Sequence, residues 1–97
     1  MSLHRRAARV DGNHAAIVAV ARELGATVCR ISGTPGAPDL LVGYRGFDAL
    51  WEIKMPRNGL NPLQASFHAA WRGRKPYIVR DPTEVVAILR DMAERTD

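Results

Sequence analysis

Cysteine is nearly absent: the single Cys29 cannot form an internal disulfide. With no CxxC or CxxxH spacing around it, it has no zinc-site pattern either, and it reads as a small apolar strand residue. No hydrophobic run approaches the roughly 20 residues of a membrane span. The N-terminal MSLHRRAARV is basic and lacks the apolar stretch of a secretory leader, so the expectation is a soluble, unexported, cytoplasmic protein with no membrane partner. The glycine-rich GTPGAP carries neither GxGxxG nor a Walker lysine, which argues against a nucleotide loop. Repeats and low-complexity tracts are also missing. Only six residues are aromatic, which implies a small core.

What is present is an ordinary globular composition, 46% hydrophobic and 25% charged over 97 residues, enough for one domain spanning 1–97. Residues 1–10 read as a flexible basic N-terminus. The net charge is +4, and the cations gather at Arg5, Arg6 and Arg9 and again at Arg72, Arg74 and Lys75. Such clusters suit a polyanion, and Arg9, Arg57, Arg72, Arg74 and Lys75 are the candidate nucleic-acid contacts; solvated surface charge is the plainer alternative.

Glycine and proline cut the chain into short elements. Ile17, Val20, Ala21 and Leu24 follow helical spacing over 13–24, with Asp11 or Asn13 as N-cap and Gly25 as stop. Thr27–Ser32 is β-branched and strand-like. PDLLVG and DALWEIK follow as two strands around YRGF, short enough for a hairpin turn. Asn61-Pro62-Leu63-Gln64 has the cap, first-turn proline and third-position glutamine that open a helix, with Leu63, Phe67, Ala70 and Trp71 as its apolar stripe. PYIVR reads as the last strand, and Asp81 caps a final helix that turns Val85, Ile88, Leu89 and Met92 inward. The predicted order is α-β-β-β-α-β-α, an α/β fold with a mixed sheet flanked by helices.

The hairpin carries the chemistry. If Arg45-Gly46 forms a two-residue turn, facing residues have position numbers summing to 91, as Asp39 and Glu52 do. Leu41, Leu50 and Lys54 share their face, while Leu40, Val42, Ala49, Trp51 and Ile53 point to the apolar core. Two opposed carboxylates destabilise a sheet unless something positive lies between them. Lys54 flanks the pair along its own strand, either as a structural ion pair or beside a hard divalent cation held by Asp39, Glu52 and the Ile53 carbonyl. Magnesium beside a lysine on a basic surface suits phosphodiester hydrolysis, with Lys54 orienting the nucleophile or stabilising developing charge.

Pro38-Asp39 followed by Glu52-Ile53-Lys54 resembles the PD-(D/E)xK motif of metal-dependent nucleases, whose core is an α-β-β-β-α-β unit. RVDGNHAAIVAVARELGA, GAPDLLVGYRG, WEIK and NPLQASFHAAWRG together are similar to virus-type replication-repair nuclease (VRR-NUC) domains, many of them small phage proteins, over roughly residues 9–80. The resemblance implies a restriction-endonuclease-like core with Asp39 and Glu52 as metal ligands, Lys54 as catalytic lysine and Gln64 reaching toward the site. Gln64 reads equally as the closing residue of a capping box. His68, one turn on, reads as a surface or packing residue. Family members often add a glutamate from the first helix, where this chain has Ala16; that leaves open substitution by Asn13 or His14, a single metal, or a lost activity.

Two function classes follow. One is a magnesium-dependent DNA endonuclease, with manganese able to substitute, acting as a homodimer on branched DNA such as Holliday junctions. The other is a non-catalytic nucleic-acid-binding module with a degenerate site, and a purely structural assembly protein leaves the Asp39, Glu52 and Lys54 grouping unexplained.

Overall fold

The computed structural model describes residues 2–31 and 33–94, and side chains from residue 13 onward. Helix α1 spans Ser2–Glu23, followed by β1 (Thr27–Arg30), β2 (Leu40–Tyr44), β3 (Phe47–Ile53), α2 (Pro62–Ala70) and β4 (Tyr77–Val79). A short 3-10 turn, Pro82–Glu84, leads into α3 (Val85–Glu94). The four strands form one mixed sheet in the order β1-β2-β3-β4. The first two pairings are antiparallel. The third, β3 with β4, is parallel, and α2 lies on the long connection that a parallel pair requires.

The hairpin has the expected register: Leu40 faces Trp51, Val42 faces Ala49 and Tyr44 faces Phe47. Its turn residues Arg45 and Gly46 both have positive φ, +50° and +85°, the backbone twist that suits a two-residue hairpin loop. Glycine adopts this freely, whereas Arg45 does so against its preference; its guanidinium lies 5.3 Å from the Tyr44 ring centroid, a cation–π contact that offsets part of the cost.

The core lies on one face of the sheet. Leu40, Val42, Ala49 and Trp51 meet Ile17 and Ala21 of α1 and Val85, Leu89 and Met92 of α3, all buried. Each large side chain there contributes about 1.5–3 kcal/mol through burial. Ile53 and Ile88 are half-buried at the margin of this cluster. Asp81 accepts from the Thr83 N–H and so caps the turn into α3, as its position before Pro82 suggests.

Three expectations need correction. The first helix starts at Ser2, not near Asn13, because the Arg- and Ala-rich opening has good helix propensity and Asp11-Gly12 does not interrupt it. The side chains of residues 2–12, and with them the proposed role of Arg9, lie outside the described residues. Cys29 is a free thiol on β1 but is exposed, since only Val28 of that strand turns to the core. Most consequentially, the apolar stripe of α2 is not buried: Leu63 is 61% and Trp71 44% exposed. The helix turns Gln64 and His68 toward the sheet instead. No described helix is long and apolar enough to cross a membrane.

Candidate active site

Asp39 stands just before β2, where the ladder ends. Continuing the register would set Ile53 opposite Pro38, which has no N–H to return. The Asp39 side chain takes over, and its Oδ2 accepts the Ile53 N–H at 2.7 Å. Its backbone is also held, because the Asp39 carbonyl accepts from Ile31 N at 2.9 Å. In a strand the N–H and C=O of one residue point the same way, so the Ile53 carbonyl also faces the Asp39 side.

Glu52 sits on the sheet face away from the apolar core and is only 1% exposed, because α2 covers it. Gln64 Nε2 donates to its Oε2 at 3.2 Å, and His68 Nε2 lies 3.3 Å from its Oε1. Burial, followed by the neighbouring Asp39 carboxyl, raises the Glu52 pKa to about 8, and the Lys54 charge offsets only part of this. Burial and the charge of Lys75 lower the pKa of His68. The lowered pKa of His68 works against a full ion pair with Glu52 and leaves a hydrogen bond between Nε2 and Oε1 whose direction follows the imidazole tautomer.

Gln64 performs both of the roles open to it. Its backbone N–H donates to Asn61 Oδ1 at 2.9 Å and its Oε1 accepts from Asn61 N at 3.0 Å, completing the capping box. The same Oε1 accepts from Lys54 Nζ at 3.1 Å. Two donors on Oε1 fix the amide orientation and turn Nε2 toward Glu52. The cap that starts α2 thus also ties Lys54 to Glu52. Lys54 is fixed at its backbone as well, where its N–H donates to the Val79 carbonyl at 3.0 Å.

Gly36 lets the preceding loop reach this arrangement. Its φ is +81°, and a Cβ there would lie 2.4 Å from the Leu63 carbonyl oxygen, so only glycine allows the loop to lie against the start of α2. Beside the carboxylates a cavity of about 120 Å³ is lined by Asn13, His14, Asp39, Ile53, Lys54 and Met55. Helix α1 therefore brings Asn13 and His14 to the site, one turn before Ala16. A larger hollow of about 450 Å³, bounded by Tyr44, Arg45, Leu89 and Arg90, brings no two carboxylates together.

Asp39, Glu52, Ile53, Lys54 and Gln64 are thus assembled in one place, and His68 joins them although its sequence context suggested a peripheral residue. The signal was its spacing: position 68 lies one helical turn beyond Gln64, on the same face. Arg57 is exposed on the loop after β3, and Arg72 and Lys75 are exposed beyond α2. Arg74 is half-buried, with its guanidinium 5.7 Å from the Phe47 ring. Lys75 is close enough for its charge to act on His68, whereas Arg74 stands at Phe47, the end of β3 away from Glu52.

The donor set suits a hard divalent cation: two carboxyl groups and a backbone carbonyl turned the same way, with burial and the neighbouring Asp39 holding the Glu52 pKa up to about 8 where no cation compensates its charge. Among the described residues no group of three or more His, Cys, Asp and Glu side chains is arranged to hold a metal, so the protein would supply few ligands and water the rest, as magnesium usually has it. Compared with family models, with curated proteins and with solved structures, the chain matches none.

Proposed function

We propose that this protein is a magnesium-dependent DNA endonuclease built on a PD-(D/E)xK core. The observation that carries the reading is the grouping of Asp39, Glu52 and Lys54 at one end of the hairpin, with Gln64 bonded to Glu52 and Lys54 and Asp39 bonded to the Ile53 N–H between them. Asp39, Glu52 and the Ile53 carbonyl would hold the ion, with manganese able to substitute. When bound, it would lower the pKa of a water and take up charge on the phosphoryl oxygens.

The chain's own residues supply the rest. Lys54, held by Gln64, presents its ammonium to the phosphate and stabilises the charge that develops on its oxygens. Gln64 and His68 hold Glu52 in one rotamer, so the carboxylate is placed before substrate arrives. Arg57, Arg72, Arg74 and Lys75 supply sequence-independent attraction for the DNA backbone. Branched DNA as substrate and a homodimeric form in the cytoplasm belong to the same proposal, through the resemblance to VRR-NUC domains.

The test incubates labelled branched and linear DNAs with magnesium, manganese or EDTA. Cleavage should need the metal and vanish in Asp39→Asn and Glu52→Gln, while DNA binding persists. Wild-type rates in either variant would refute the assignment. The second reading, a binding module with a decayed site, is favoured by Ala16 and the small ligand set. It predicts DNA binding without cleavage in every condition.

A further inference from the structure

The C-terminal end of α2 carries a second constellation. Trp71 caps the helix, is 44% exposed, and stacks on Phe67 with ring centroids 5.4 Å apart and planes at 16°. It walls a groove of about 330 Å³ whose lining includes Leu41, Leu50, Asp48, Gly73 and Arg74. Gly73 lets the backbone pass the indole edge, since a Cβ there would lie 2.8 Å from Trp71 Nε1. Arg74 Nη1 is buried in this region with no hydrogen-bond partner among the described residues. A buried guanidinium N–H without an acceptor is costly, and the half-buried Arg74 side chain that carries it lines the groove. Arg72 and Lys75 flank it in the chain, and Asp48 is the one acid in the lining.

A flat exposed indole, an apolar floor, a donor lacking its acceptor and further cations nearby match the chemistry of an unpaired nucleobase and its phosphate. A second copy of the chain meeting this groove about a two-fold axis would bring Arg72, Arg74 and Lys75 against themselves, which charge opposes. Intact duplex offers phosphates but keeps its base faces stacked. We infer that the groove between the end of α2 and the outer face of the β2–β3 hairpin takes an unpaired base of a DNA strand, stacked on Trp71 with phosphate on Arg74. The inference rests on the nuclease reading for the identity of the strand, and it narrows the substrate to DNA with a single-stranded segment near the cut. Seven residues separate Gln64 from Trp71, about 10 Å along the helix, or roughly three steps of a DNA strand.

The test measures tryptophan emission of the wild-type protein in EDTA during titration with a short oligothymidylate, with an abasic oligomer of equal length, and with blunt duplex. Trp51 is fully buried, so quenching reports on Trp71. Oligothymidylate should quench and bind roughly tenfold tighter than the abasic strand, the contribution of one stacked base. By anisotropy of labelled strands, Trp71→Ala should lose that tenfold preference and Trp71→Phe should keep most of it. Equal affinity for the two strands overturns the inference, as does a Trp71 signal that follows protein concentration alone with a doubled sedimenting mass, which would assign the groove to a second copy. The two readings fail separately. Magnesium-dependent cleavage without base preference removes the groove site and leaves the nuclease, whereas base-dependent quenching without cleavage of any DNA removes the nuclease and supports the groove.

Discussion

Replacing Glu52 with glutamine should stabilise the metal-free protein at neutral and alkaline pH, and the size of the effect follows from its burial. Unfolded, Glu52 titrates near 4.5; in the folded chain its pKa is about 8. Below pH 4.5 both states hold the proton. Between the two values only the folded state does, so raising the pH removes stability at about 1.4 kcal/mol per pH unit until the folded group ionises. Over a window of roughly 3.5 pH units this sets a ceiling of roughly 5 kcal/mol on the loss. His68 works in the opposite sense: its depressed pKa removes stability as pH falls below 6.5. The quantity to measure is therefore the difference between wild type and Glu52→Gln; His68, which touches Glu52, adds to it chiefly below pH 6.5, so comparing pH 7 with pH 9 isolates Glu52. Glutamine keeps the shape and can still accept from Gln64 Nε2. Urea unfolding in EDTA at pH 5, 7 and 9 should show the variant gaining on wild type by several kcal/mol from the lowest pH to the highest. At pH 8 magnesium should restore wild type, by about 2.7 kcal/mol at a hundredfold its Kd, and leave the variant unmoved. Parallel profiles for the two proteins would refute the account of a strained, cation-seeking carboxylate.

Gln64→Ala should lower stability by about 1 kcal/mol through loss of the capping box and should cut the cleavage rate further than it weakens DNA binding, because Lys54 and Glu52 lose their common tether; denaturation midpoints and single-turnover rates read the two effects. Gly36→Ala combines a positive φ with a collision against the Leu63 carbonyl, so it should destabilise by about 2 kcal/mol or more, visible as a lower urea midpoint at unchanged slope. Neutralising Arg72, Arg74 and Lys75 together should flatten the dependence of log affinity on log salt by about 0.9 for each phosphate contact removed. An unchanged slope would mean the cluster faces away from the DNA.

Local signals determined much of this molecule. The Arg45-Gly46 turn and the alternation of Leu40, Val42, Ala49 and Trp51 sufficed to set the hairpin register, because a one-residue slip would expose the whole core face. Asn61, Pro62 and Gln64 announced the start of α2, since capping depends on residues within one turn. The nearness of Asp39 to Glu52 follows from extending the register by one position, although the ladder itself ends at Leu40 and Trp51 and Asp39 binds the Ile53 N–H instead of pairing with Glu52. Which face of α2 meets the sheet did not. Leu63, Phe67 and Trp71 form the obvious apolar stripe, yet the helix turns Gln64 and His68 inward. A buried carboxylate needs hydrogen-bond donors more than the stripe needs cover, and that demand arises only once β3 has placed Glu52 beneath the helix. The long reach of α1 and the arrival of Asn13 and His14 at the carboxylate cavity are equally tertiary: periodicity shows that a helix exists, but packing against the sheet decides which of its residues overhang the site.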